Sequence, residues 1–208
     1  MEYKNTVRGY KAIVDGETDI LFCAAPSEAQ KKYAEEQGVE LVYVPIGLEA
    51  FVFFVNEKNP VDGLTTEQIR KIYAGEYTNW ADVGGANRII NPVTRLKGSG
   101  SQTAFEAFMG DRKIARKSPL AMIGGSIGFS FRYYMDGIVE NDSVKMLSLN
   151  GVYPSAENIQ NRSYPIVVQF YAIYRADNDN ENVRVLIDWL LSDEGQTLIE
   201  KSGYVRIN

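Results

Sequence analysis

The chain has 208 residues, 45% hydrophobic and 24% charged, which is the composition of an ordinary globular protein with room for one large domain or two small ones. Its 22 Lys and Arg against 27 Asp and Glu leave a net charge of −5, which argues against a nucleic-acid partner, since phosphate-backbone binding needs a dense basic face. The sequence contains no His and one Cys, which excludes Ser-His-Asp chemistry, imidazole metal sites, an internal disulfide and a thiolate metal cluster.

In chain order, Val7, Tyr10, Ile13 and Val14 recur at helical spacing over 5–15, and Gly16 stops that helix. The apolar run Thr18–Ala25 predicts a strand covered on both faces, with Cys23 a buried thiol within it. Ser27 caps a helix running to Gly38. Two further strands are expected, Glu40–Pro45 and Glu49–Asn56, so that strand, helix and strand suggest a parallel βαβ unit and an α/β fold. No run reaches the ~20 apolar residues of a membrane helix. The opening Met1-Glu2-Tyr3-Lys4 has no apolar signal region, so either the protein is cytosolic or the sequence begins downstream of a native export signal.

Thr65 caps a helix that ends at Gly75, and a turn-rich stretch with Trp80 and Gly84-Gly85 follows. A strand is predicted over Arg88–Thr94 and a helix over Gln102–Met109. Residues 110–165 are mixed, with Gly124-Gly125 and Gly128 marking tight turns. Val167–Tyr174 reads as a strand. Val183–Ser202 reads as one helix with Leu186, Trp189, Leu190 and Leu198 on its inner face. The alternation Asp177, Asp179, Glu181 lacks the glycine and distant glutamate of a calcium loop, so a solvated turn is expected. Arg112–Lys117 reads as a solvated, basic helix end.

The chemistry concentrates in Arg95-Leu96-Lys97-Gly98-Ser99-Gly100-Ser101-Gln102. A glycine-containing loop entering a helix leaves backbone N–H groups pointing out of the helix end. The helix dipole adds about half a positive charge there, so an oxyanion is favoured. Ser99 and Ser101 add hydroxyl donors, and Arg95 supplies a planar two-pronged donor suited to a tetrahedral anion. A capped helix behind a flexible turn is the other reading of this loop. It is not a P-loop, because the Gly-x4-Gly-Lys-Ser/Thr order is absent.

This loop resembles the anion-binding signature of the phosphate-binding substrate-capture proteins of ABC transporters, members of the type II periplasmic-binding-protein superfamily. Other stretches agree in order and spacing: Gly16–Ile20 with Pro26-Ser27, Asn59–Val61 through Leu64-Thr65 to Gly75, and Asn79-Trp80 with Gly84-Gly85. Gly125–Phe129, Tyr164-Pro165, Ser192–Gln196 and Gly203–Val205 also fit.

The resemblance implies a two-lobed α/β fold, each lobe a mixed sheet flanked by helices, with phosphate or a similar oxyanion held between the lobes. One lobe would comprise 1–48 and 168–208, incomplete at its N-terminus, and the other 49–167. Strands near Phe51 and Phe170 would form a hinge whose closure signals loading to an ABC permease. By the same matching, Arg95, Ser99, Gly100 and Ser101 map onto ligand contacts, no cofactor or metal is implied, and the location is extracytoplasmic.

Two departures bear on ligand choice. The family's first strand, its Gly-Ser-Thr loop and a further helix are expected before residue 1, about 50 or more residues. Without them the first lobe's sheet would expose an edge, so a homodimer through that edge, or poor solubility, is expected. Phosphate-specific members also place an Asp shortly before the Pro26-Ser27 motif, where this chain has Ala24-Ala25; Asp19 nearby reads as a turn residue. The alternative function is a degenerate domain without ligand, acting as a sensor or interaction module. An enzyme would need a carboxylate pair, a Lys base or a metal, and no carboxylate pair stands out beside the loop.

Overall fold

A computed structural model describes residues 6–115, 125–139 and 143–207. By their internal contacts residues fall into two compact units: unit 1 is Met1–Glu49, Leu96–Thr103 and Val168–Asn208, and unit 2 is Ala50–Arg95 and Ala104–Val167.

Unit 1 opens with α1 (Thr6–Val14), which buries Tyr10, Ile13 and Val14 and ends before Gly16 at φ 75°. The side chain of Arg175 donates to the Val14 carbonyl at 2.7 Å, satisfying an acceptor the helix end leaves open. Next come β1 (Leu21–Ala24) and α2 (Glu28–Glu36). Ser27 caps α2 in a reciprocal box with Gln30. Then β2 (Leu41–Asn56) runs for 16 residues and contributes to both units. Late in the chain unit 1 adds β8 (Val167–Arg175), α7 (Glu181–Leu191) and α8 (Asp193–Lys201).

In unit 1 the strand alternation feeds two cores. Leu21, Leu41 and Tyr43 pack with Tyr10, Ile13, Val14 and Ala34 of α1 and α2. Phe22, Val44, Ile46 and Ala172 pack with Val183, Ile187, Leu190 and Ile199 of α7 and α8. The sheet is therefore covered on both faces, as the apolar character of β1 predicts.

Unit 2 holds β3 (Gly63–Leu64), α3 (Thr66–Ala74), a 3-10 turn at Trp80–Val83 and β4 (Asn91–Pro92). It continues through α4 (Gly100–Met109), whose first turn clusters with unit 1, to β5 (Ser126–Phe131) and α5 (Arg132–Val139). β6 (Val144–Met146), β7 (Ser148–Leu149) and α6 (Ala156–Gln160) complete it. Its core is aromatic: Phe51, Phe53, Tyr73, Phe105, Phe108 and Phe129 contact one another ring to ring. Trp80 is buried and its indole N–H donates to the Gly125 carbonyl at 3.0 Å.

The strand order is β1-β8-β2-β5-β4, with β6 also on β2 and a separate parallel pair of β3 with β7. β1 runs antiparallel to β8, β2 antiparallel to β5, and β4 parallel to β5, so the fold is mixed α/β.

Several local expectations change. β1 and β2 are not neighbours: β8, from the far end of the chain, lies between them, so no adjacent parallel βαβ pair forms. Pro45 does not break β2, which stays extended where Leu48 exchanges backbone hydrogen bonds with Val205. The strand expected over Arg88–Thr94 shrinks to Asn91–Pro92, because Arg88 and Ile90 bond instead to Trp80 and Thr78 of the preceding turn. Gly128 lies within β5, where the Phe54 ring leaves no space for a Cβ, rather than at a turn; Gly124 lies outside the described residues.

The helix expected over Val183–Ser202 is two helices, since Ser192 is extended at φ −71°, ψ 165° and caps α8 through the Gly195 N–H. Its inner face is Val183, Ile187 and Leu190; Leu186, Trp189 and Leu198 are exposed.

Candidate anion-binding loop

The chain leaves β4 and passes through Arg95, Leu96 and Lys97, all exposed, before turning into α4. Gly98 makes that turn at φ 85°, in the left-handed region that glycine adopts without strain. A Cβ there would also meet Val7 of α1 at 3.3 Å. The Ser99 N–H donates to the Leu96 carbonyl at 3.2 Å, and Thr103 N–H returns to Ser99 at 2.9 Å. The Ser99 hydroxyl oxygen accepts from the Gln102 N–H at 3.3 Å, which is the N-cap arrangement.

Gly100 and Ser101 are thus the first two helical residues, whose amides have no acceptor within a helix by its geometry. Ser101 and Gln102 are buried, while Ser99 and Gly100 are half-buried. Ser99, Gly100 and Ser101 come together in one turn at the helix N-terminus, the positive end of its dipole. Arg95 lies in the exposed connection before that turn, on the unit 2 side of the contact division, with Leu96–Thr103 on the unit 1 side. Gln102 is a buried polar residue of the same turn that the Gly-Ser motif does not single out. The available signal was its i+3 spacing from the Ser99 cap.

α4 is fixed further along by its aromatic residues. Phe105 stacks on Phe129, and Phe108 packs on Phe53 at 5.2 Å between ring centres. Arg70 lies over Phe108 and donates from Nε to its carbonyl at 3.0 Å, closing the C-terminal end of the helix.

The other sequence candidates take structural roles. Asp19 accepts from the side chains of Asn178, at 3.1 Å, and Asn180, at 3.3 Å, and so holds the turn before α7. Asp177 receives both Nε and Nη2 of Arg175, which holds its carboxyl below the usual carboxylate range. Arg112 pairs with Glu67 at 2.7 Å; Arg116 and Lys117 lie outside the described residues. Burial pushes the Cys23 thiol up to about 12, the behaviour of an inert core residue. Tyr133 and Tyr134 are exposed and meet edge to face, while Phe131 is buried in β5. A shallow pocket of about 240 Å³ in unit 1 is lined by Tyr10, Lys31, Ala34, Glu35, Val39, Leu41 and Tyr43, none of them loop residues. Among the described residues no group of three Cys, Asp or Glu is placed to hold a metal ion.

A family model described as a PBP superfamily domain matches residues 1–194. The chain belongs to the PBP superfamily. Within it, the fold is similar to a Clostridium perfringens protein solved with bound phosphate and assigned to phosphate ABC transport as a substrate-binding protein. The TM-score is 0.81 at 28% identity, covering 98% of this chain and 85% of that one. An ABC-type phosphate transport receptor from Vibrio cholerae matches with a TM-score of 0.70 at 26% identity over 96% of this chain and 84% of that one. The phosphate-binding protein PstS of Borreliella burgdorferi is 24% identical over 196 residues, 85% of this chain. The chain spans 69% of that protein and 65% and 61% of two further curated relatives, about two thirds of their length.

Proposed function

We propose that this PBP-superfamily chain binds phosphate or a closely similar oxyanion at the N-terminus of α4 and serves as the capture component of an ABC transporter. Gly100 and Ser101 would contribute backbone N–H donors, Ser99 and Ser101 hydroxyls, and Arg95 a forked cationic donor. The observation that carries this reading is the turn itself: a left-handed Gly98 feeding a serine-capped helix, in a chain similar to a protein solved with bound phosphate. The role is capture without conversion. The sequence has no His, and hydrogen bonds and one cation supply affinity but no attacking group. The naming of relatives as ABC transport receptors supports an extracytoplasmic location and a permease as the recipient of the anion. No described helix is long and apolar enough to cross a membrane.

Isothermal titration calorimetry with phosphate and then sulfate tests this. Phosphate is expected to saturate one site, and Arg95→Ala and Ser101→Ala each to weaken it by roughly 10- to 100-fold, the range for a hydrogen bond to a charged group. Unchanged affinity in both variants would take the site away from this loop.

One observation favours the second reading, an interaction or sensor module. No carboxylate occurs between Asp19 and Pro26, and Asp19 is already engaged by Asn178 and Asn180. Silence from the folded chain with every oxyanion would select that reading.

A further inference from the structure

The sequence holds a single Asn-Gly pair, Asn150-Gly151, and it forms the turn between Leu149 and Val152 in unit 2. Leu149 and Val152 exchange both backbone hydrogen bonds at 2.9 Å across it, and the two central residues have φ of 51° and 83°. This is the two-residue turn that Asn-Gly favours. Two contacts fix Asn150 on the start of α3. Its N–H donates to the Leu64 carbonyl, and its side-chain Oδ1 accepts from the Thr66 N–H, both at 3.0 Å. Thr66 is the first residue of α3, so Asn150 supplies an acceptor that the helix itself lacks. Asn150 and Gly151 are exposed, and nothing beyond the chain neighbours lies within 4 Å of where a Gly151 Cβ would stand, so water reaches the pair.

An asparagine followed by glycine loses its side-chain amide readily, because no Cβ shields the next backbone nitrogen. In that reaction the Gly151 nitrogen attacks Asn150 Cγ and a C–N bond forms. The Cγ–Nδ2 bond breaks, and ammonia leaves with the proton of the Gly151 amide. Water then opens the five-membered ring at either carbonyl and leaves an aspartyl or an isoaspartyl residue at position 150. One water is consumed and no oxidant is needed. Ring closure requires Cβ and the next nitrogen on the same side of the Cα–C bond. At the left-handed φ of Asn150 the stereochemistry of an L residue puts them on opposite sides, so the turn has to open before the ring can close. The Thr66 contact resists the same rotation by tying Oδ1 to α3.

We infer that Asn150 is a deamidation site gated by its turn: the side-chain amide is hydrolysed only in molecules whose Leu149–Val152 turn has opened and released Thr66. Conversion is an irreversible record of that opening. The isoaspartyl product adds a backbone atom to a turn closed by two residues, and so does not rebuild it. This inference stands independently of the anion site, which lies on α4.

The full chain is incubated at mildly alkaline pH, folded in buffer and unfolded in urea. Mass spectrometry of the peptide containing Asn150 follows the gain in mass and the change in retention that amide loss produces. The folded chain should convert at least about tenfold more slowly than the unfolded chain, since only its opened fraction reacts. Thr66→Pro deletes the N–H that holds Oδ1 and is compatible with α3. Proline is favoured at the first helical position, and Thr65 before it is already extended at φ −77°, ψ 154°. This variant should convert faster than the parent when folded and at the parent's rate when unfolded. Equal rates in the folded and unfolded parent overturn the gate, and that comparison stands by itself should Thr66→Pro not fold. A folded Thr66→Pro chain that converts at the parent's rate overturns the part assigned to Thr66. Absence of conversion even in urea removes the site.

Discussion

The Ser99 hydroxyl oxygen accepts a hydrogen bond from the Gln102 backbone N–H at 3.3 Å, so a serine of the proposed anion loop also caps α4. The two roles separate by substitution. Ser99→Ala should cost about 1 kcal/mol of stability and also weaken phosphate binding. Ser99→Asp restores a capping oxygen but sets a negative charge against the anion. It should therefore unfold near the wild-type urea midpoint while binding at least tenfold more weakly. Ser99→Asp binding phosphate like the parent would remove Ser99 from the ligand contacts.

Phe105 is the residue that holds α4 in place. It is fully buried, its ring lies 4.3 Å from Phe129 at an interplanar angle of 7°, and Tyr73 is 4.5 Å away. Phe105→Ala should cost about 3–5 kcal/mol in urea unfolding, the range for emptying an aromatic core position. Phe105→Leu should cost clearly less. Equal costs would mean that the stacked ring, rather than the volume it fills, carries the contribution.

Discrimination between phosphate and sulfate rests on an acceptor for the phosphate proton, and Ala24 and Ala25 supply no side-chain acceptor. The parent chain should bind the two anions within about tenfold of each other. Ala25→Asp, at an exposed position, should lower sulfate affinity more than phosphate affinity. Asp19→Ala should leave both unchanged and act only on the turn it shares with Asn178 and Asn180. Calorimetry with both anions on the three proteins decides each point.

Stability should fall on the alkaline side. Burial raises the Cys23 thiol from an ordinary value of 9.0 to about 12, and it raises the phenols of Tyr10, Tyr73 and Tyr164 above their ordinary 10.0. In the unfolded chain these groups lose their protons first, so the stabilisation they give is complete below about pH 9 and declines as pH rises beyond it. Denaturant midpoints measured from pH 8 to 11 should decrease steadily. A flat profile would contradict the burial of these groups.

What the sequence made legible was local. The caps at Ser27 and Thr65, the stop at Gly16 and the Gly98–Ser101 turn each depend on a few adjacent residues, and each appears where the residue types require it. The long-range choices were not legible. Nothing within β1 or β2 announces that β8 will lie between them, because that pairing is decided by a segment over a hundred residues away. The face of α7 was ambiguous for a different reason. Val183, Val185, Leu186, Ile187, Trp189 and Leu190 support two stripes at helical spacing, and only packing against Ile46 and Ala172 selects one. At the proposed anion loop, residue types pointed to donors for an oxyanion, but that the Ser99 hydroxyl caps α4 needed coordinates.

The insertion of β8 between β1 and β2 also sets an order of events during synthesis. Residues 1–49 cannot complete their sheet until Val168–Arg175 has been made, and the backbone exchange between Leu48 and Val205 waits for the last few residues. Most of unit 2 emerges between these two halves as nearly continuous chain and has its aromatic core available first. β1 therefore waits uncovered by β8 while the whole of unit 2 is made between them.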